Sequence, residues 1–351
     1  MVRCHRRTGR WLTALVACSL PWLLQASAEP DRPLEERAEA ARVLVETRVL
    51  DARGEPIPGL SASDFSARLD GNVVRVESAA WVTGALPDPD RLFARPPGTD
   101  IGATGADEAT LRNGRLIVLL FQRDLLASRI VGLMRMRDDV EAFLRELSPT
   151  DRVALLVHDV KLHLYSDFTT DHDALLGILS RSIVFQRPPP RVSPGPFPSM
   201  VEHYDRQAAA EAHSAEAGIV VIAEALRALP GSKSILFFGW SMDRHPAGPL
   251  TTVRALKALN EGRVSIFSLD VTMADAHSLE GPLRAIAAET GGFYVKTYRF
   301  PALAMRRVTR AIDGHYELSL VKPNLAPGLH TIEIRLLEQP GVVYHRAHYV
   351  D

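Results

Sequence analysis

The sequence predicts an α/β protein. A Rossmann-like, mostly parallel sheet with helices on both faces is flanked at each end by shorter strand-rich segments that form a small β-sandwich-like module. Three observations carry this. From 114 to 313 short apolar runs alternate with helical stretches, the pattern of a parallel sheet with crossover helices. The run Leu116-Ile117-Val118-Leu119-Leu120-Phe121 is apolar at every position, as a strand buried on both faces is. Residues 41–83 and 314–351 instead alternate apolar and polar with period two, as half-buried strands do.

Residues 1–28 stand outside this fold. Arg3, Arg6, Arg7 and Arg10 form a basic start, Trp11 to Leu24 is apolar, and Ala26-Ser27-Ala28 fits a small-x-small cleavage site. That is a secretory signal peptide, cleaved after Ala28, and it places the mature chain in the periplasm or outside the cell. The apolar run is shorter than the roughly 20 residues a spanning helix needs, and no membrane span is expected elsewhere. Leu15-Val16-Ala17-Cys18 is a competing signal, a lipoprotein box that would lipidate Cys18. The apolar Leu20-Pro21-Trp22-Leu23-Leu24 beyond it favours cleavage after Ala28. Cys4 and Cys18 are the only cysteines, so the mature chain has no disulfide, thiol catalyst or thiolate metal site. Losing four arginines and no acid moves the formal net charge from −1 to about −5, which leaves no basic tract for nucleic acid. A composition of 46% hydrophobic and 24% charged residues is that of a globular protein.

In chain order, Val43 to Asp51 reads as a half-buried strand, Asp51-Ala52-Arg53-Gly54-Glu55-Pro56 as a turn, and Asp70-Gly71 as a hairpin turn. Residues 84–113 have no period and read as a linker. Within 114–313, strands are expected at 115–121, 152–158, 234–239 and 264–269. Helices are expected at 131–147, 171–183, 205–228, 249–261, 278–289 and 300–312. The proline-rich stretch 187–198 can be neither helix nor central strand and is expected to be a surface loop. Thr290-Gly291-Gly292 reads as a helix stop followed by a short strand. The tail 314–351 returns to strands, which are expected to pair with 41–83, because each flank is too short for a core of its own.

Several motifs in fixed order resemble the bacterial exported VWFA-related family. At the N-terminal flank these are Val49-x-Asp51-x-x-Gly54-x-Pro56-x-x-Gly59-Leu60-x-x-x-Asp64-Phe65, followed by Asp70-Gly71. Centrally they are Phe168-Thr169-x-Asp171-x-x-Ala174-Leu175 and Leu229-Pro230-Gly231-x-Lys233. Leu283-x-x-Ile286-Ala287-x-Glu289-Thr290-Gly291-Gly292 and Gly328-x-His330-x-Ile332-x-Ile334 complete the set. The resemblance implies a von Willebrand factor A domain at 114–313 between β segments at 41–83 and 314–351. It implies no particular activity.

In a metal-binding A domain, the end of the first strand carries Asp-x-Ser-x-Ser and holds a divalent cation through hard oxygen ligands suited to Mg²⁺ or Ca²⁺. Here those positions are Gln122, Asp124 and Leu126, with Arg123 adding a positive charge. No threonine lies between Asp171 and Gly231 to supply a further ligand, and the last Asp falls near Trp240 in Gly239-Trp240-Ser241-Met242-Asp243. The expectation is a degenerate metal-binding motif, no cofactor, and a binding crevice at the carboxyl edge of the sheet formed by Gln122, Arg123, Asp124, Trp240, Ser241 and Asp243. An alternative keeps Mg²⁺ or Ca²⁺ through a shifted Asp124, Ser241 and Asp243 cluster. Trp240 is either an exposed contact hot spot or the filler of the volume a metal would take.

Catalytic signals are thin. His345-x-x-His348 has the wrong spacing for a chelate on one strand face and reads as a solvated edge pair. His158-Asp159 with His163 sits at a strand end and hairpin, with no nucleophile tied to it by any motif. The expected function is therefore non-enzymatic: adhesion or assembly with an unknown envelope or extracellular protein. An uncharacterised hydrolase is the remaining alternative.

Overall fold

Four seven-residue strands are buried at every position: β5 (Leu116–Gln122), β6 (Arg152–His158), β8 (Lys233–Gly239) and β9 (Val264–Asp270). Such strands need cover on both faces. With β7 (Leu162–Thr169) and β10 (Tyr294–Lys296) they form a six-stranded sheet in the order β10-β9-β8-β5-β6-β7. All neighbours are parallel except β6 and β7, which form an antiparallel pair at one edge.

The computed structural model describes residues 41–83, 114–182, 191, 198–242, 249–274 and 277–350. The expected signal peptide, the 84–113 linker, most of the proline-rich loop and Asp243 lie outside the described residues.

Helices α1 (Ala127–Glu146), α2 (His172–Ser182) and α7 (Pro301–Asp313) cover one face through Leu133, Met136, Ile178 and Val308. Helices α3 (Arg206–Glu211), α4 (Ala215–Arg227), α5 (Pro249–Gly262) and α6 (Glu280–Glu289) cover the other through Ala209, Ile219, Leu259 and Leu283. The single helix expected over 205–228 is two. Asp205 caps α3 by accepting from the Gln207 and Ala208 amides at 2.9 Å, and Ser214 restarts the chain as α4 by accepting from Ala217 at 3.2 Å. N-capping side chains of this kind begin a new helix regardless of the apolar period that runs across them. Of the proline-rich loop, Arg191 bridges to Ser166 on the edge strand β7.

The flanks do pair. Strand β1 (Arg42–Leu50) lies between β11 (Gly314–Val321) and β13 (Val342–His345), and β4 (Val76–Thr83) adds to β11. A second sheet, β14-β12-β2-β3, joins β12 (Leu329–Leu336) and β14 (His348–Val350) to the hairpin of β2 (Phe65–Leu69) and β3 (Asn72–Val74). Asp70 and Gly71 turn that hairpin with φ of 49° and 77°, the double positive-φ geometry of a type I′ turn. Between the sheets lie Val45, Phe65, Leu69, Tyr316, Leu318, Ile332 and Ile334. The buried Tyr316 hydroxyl accepts from the Leu60 amide at 2.8 Å and donates to the Ile57 carbonyl at 2.7 Å, so its ring enters the core without an unpaired oxygen.

His345 and His348 are not solvated edge residues. Both are half-buried. His345 Nε2 accepts from the Ile334 amide at 3.2 Å, and burial holds its pKa below the usual imidazole value. His348 lies 3.0 Å from Glu289.

Candidate functional site

A strand order that reverses between β5 and β8 leaves a crevice at their carboxyl ends, the place where open α/β sheets bind ligands. Gln122 closes this crevice. It is the last residue of β5, is 7% exposed, and its Oε1 accepts from the backbone amides of Trp240 at 3.0 Å and Ser241 at 3.2 Å. One neutral amide thereby ties the ends of both central strands together. Gly239 permits the approach: a Cβ there would overlap the Phe237 ring and stand 2.8 Å from Gln122 Oε1. Ser241 and Met242 are buried beside it.

The charged residues of the loop after β5 are already matched. Arg123 ion-pairs with Asp159 across the β6–β7 turn, and its other η-nitrogen stands 3.5 Å from the Tyr165 hydroxyl. Asp124 accepts from the Leu126 amide at 2.9 Å and ion-pairs with Arg129 in the first turn of α1. Partial burial pulls the Asp124 carboxyl upward, but the Leu126 amide and the Arg129 charge outweigh it and hold the pKa below the usual range. Arg129 in turn lies 3.3 Å above the centre of the Trp240 ring. Trp240 is therefore a half-buried filler stacked under a cation and packed on the α1, α2 and α7 side of the sheet; it is not an exposed anchor. Its Nε1 is buried and has no hydrogen-bond partner among the described residues. The structure thus brings Gln122, Asp124, Trp240 and Ser241 together and turns Arg123 toward Asp159.

His158 and Asp159 diverge. The His158 ring is buried against α4, with Nε2 2.9 Å from the Ala212 carbonyl, and burial pushes its pKa down. Asp159 serves Arg123 and, at 3.2 Å, His163. The two are not an acid–base pair.

The sequence reading missed a second cluster on the same edge. Asp270 ends β9 and is 1% exposed. Its Oδ1 accepts from the Thr272 amide at 2.9 Å. Its Oδ2 accepts from the Tyr294 hydroxyl at 2.6 Å and from His277 Nε2 at 2.7 Å. Glu280 sits against the His277 amide at 3.0 Å, Lys296 at 2.5 Å and Arg284 at 3.1 Å, and the Lys296 hydrogen bond draws its pKa down to about 2. Asp270, His277 and Glu280 bring one ligand atom each within 4.8 Å. The hydrogen bonds favour a different role. His277 Nδ1 accepts from the Leu279 amide at 3.3 Å, so the proton resides on Nε2 and is donated to Asp270. In that tautomer Nε2 has no lone pair and the Nδ1 lone pair is taken by the Leu279 amide, while Lys296 with Arg284 already neutralises Glu280. The signal available in the sequence was an Asp at a strand's carboxyl end, but its partners come from two later elements.

Among the described residues, the divalent cation that the sequence resemblance implies does not fit the first crevice. The Gln122 oxygen is committed to two amides, the Asp124 carboxylate to Leu126 and Arg129, and two guanidinium groups flank the position. Hard divalent cations need free anionic oxygens in that place.

Strand order, the antiparallel edge strand and the crevice together define a Rossmann-like α/β domain. No family model matches the chain, and no curated protein matches it. Among solved structures it is similar to an aerotolerance-related membrane protein from Bacteroides fragilis NCTC 9343, at 13% identity over 57% of this chain and 98% of that one, with a TM-score of 0.38. It is similar to the conserved hypothetical protein BatB from Bacteroides thetaiotaomicron, at 15% identity over 57% and 97%, with a TM-score of 0.37. It is also similar to von Willebrand factor type A from Catenulispora acidiphila, at 9% identity over 84% and 75%, with a TM-score of 0.42.

Proposed function

We propose that this protein is an exported, non-enzymatic interaction module that binds another envelope or extracellular protein at the carboxyl edge of its A-type domain, without a divalent cation. The observation that carries the reading is Gln122. Where a metal-dependent domain keeps a charged, open crevice, this chain has a neutral side chain that closes the crevice with two hydrogen bonds. What remains outside is contact surface. Leu125 and Leu126 in the loop after β5 are 74% and 56% exposed, and Val160 in the β6–β7 turn is 66% exposed. The Arg123–Asp159 ion pair and the 2.7 Å hydrogen bond from the Arg123 amide to the His158 carbonyl join these two loops. Apolar residues on adjoining rigid loops suit protein contact better than catalysis.

The test is site-specific photo-crosslinking in cells that make the protein. A crosslinking side chain at Leu125 or Val160 should trap one partner, equally with and without a chelator. The same group at Leu329, exposed on the β-sandwich, should not. Adducts at all three positions alike, or none at the edge, would end the proposal. Edge adducts lost on chelation would return the function to a cation held by Asp124, Ser241 and Asp243.

A further inference from the structure

Arg263 fills the tight turn between α5 and β9 with φ of 52°, the left-handed region that glycine or asparagine enters at lower cost. The side chain does not repay that strain within the fold. It is exposed, and among the described residues it makes no hydrogen bond or ion pair. It stands instead on the wall of a cavity of about 280 Å³ at the amino ends of β5, β8 and β9, roofed by β1, β4 and β11. Glu46, Arg115, Ser232 and Arg346 also line it. An adjoining hollow of about 480 Å³ shares Leu44, Arg263 and Arg346.

The charges around this cavity do not balance. Arg115 is matched by the buried Asp151, and Arg48 by Glu46. In the hollow, Glu261 is matched by Arg227 and Lys257. Arg263 and Arg346 remain, with the exposed Glu317 as the rim carboxylate and His315 beside it, its pKa lowered mainly by burial. Arg346 donates to the Leu44 carbonyl at 3.0 Å and has further donors to spare. Lys233 lies buried below, donating to the Leu226 and Leu229 carbonyls at 3.1 and 2.8 Å. The surplus of positive charge is felt by its own members. Burial and then the Arg263 charge lower Arg346 to about 10, and the same two causes in the same order lower Lys233 to about 8.

We propose that this cavity is a binding site for a phosphate-class oxyanion, either inorganic phosphate or a phosphate monoester, held by the guanidinium groups of Arg263 and Arg346. Guanidinium forks match the geometry of phosphate oxygens, and at this rim two guanidinium groups outnumber the one carboxylate. The site lies at the end of the sheet opposite the carboxyl edge and is independent of the interaction proposed there.

The test uses residues 29–351 in calorimetric titrations and thermal melts with sodium phosphate, glycerol phosphate, and sodium acetate and chloride at equal ionic strength. A ligand that binds the folded state raises the melting temperature. Phosphate or glycerol phosphate should bind saturably and raise it, while acetate and chloride should not. Arg263→Gly removes the positive-φ strain, so its ligand-free melting temperature should hold or rise while phosphate affinity falls at least tenfold. Arg346→Gln should lose the shift as well, and Arg254→Ala, on the exposed face of α5, should keep it. A phosphate response no larger than that to chloride or acetate, or one retained in Arg263→Gly, would overturn the proposal.

Discussion

Replacing Gln122 by methionine removes the acceptor at the crevice and keeps the side chain's length and volume. Two backbone amides, those of Trp240 and Ser241, then lose their partner at a position 7% exposed. An orphaned buried donor costs about 1–3 kcal/mol, so the pair predicts a loss of about 2–6 kcal/mol, nearer the lower end if water reaches one of them. Gln122→Glu supplies an acceptor in the same place and should lose less than half as much. Urea unfolding followed by far-ultraviolet circular dichroism reads both variants, provided the denaturant slope is unchanged. If methionine costs under about 0.5 kcal/mol, or glutamate costs as much as methionine, the hydrogen bonds do not hold the crevice shut and the argument from Gln122 fails.

Gly132→Ala should cost more than about 3 kcal/mol in the same unfolding assay, because its Cβ would overlap the Val271 carbonyl where α1 crosses the end of β9, and backbone there cannot give way. Arg129→Ala should free Asp124 and uncover Trp240, costing about 1–2 kcal/mol and red-shifting tryptophan emission in residues 29–351 carrying Trp81→Phe, where Trp240 is the one tryptophan left. For Lys233 the folded pKa of about 8 lies below the ordinary lysine value of 10.5. Below pH 8 both states are protonated and the penalty is fully present. As pH rises from 8 toward 10.5 the unfolded chain binds the extra proton, so stability should rise, by up to about 3 kcal/mol. Lys233→Met should lack this rise, and paired melts from pH 7 to 10 would show it.

The central sheet was legible because its strands are buried on both faces and so carry no polar alternation to confuse with a helix. The flanks were legible for the opposite reason: Thr331-Ile332-Glu333-Ile334 alternates because one face is wet, and β12 does pair back to β2. The break between α3 and α4 was missed because the apolar period runs through it, although Asp205 and Ser214 were there to be read as caps. At the site, Gln122, Asp124 and Ser241 could be located from strand ends alone. Arg129 and the Asp270 cluster could not, since what matters at them is the partner. Arg129 stacks on Trp240, more than a hundred residues away, and Asp270 is defined by His277 and Tyr294, which reach it from a loop and a different strand.

The pairing of Thr47 with Tyr316 has a consequence for how the chain comes to be folded. The ribosome delivers the N-terminus first, so β1 and β2 emerge with apolar faces and open hydrogen-bonding edges long before β11 and β12 exist to receive them. The central sheet draws all its strands from the chain between β4 and β11 and can condense while they wait; the sandwich has to close last, over the span from β1 to β11. In that interval the unpaired strands are the segment most exposed to aggregation or to proteolysis. A protein truncated anywhere before residue 314 would keep these strands unpaired for good.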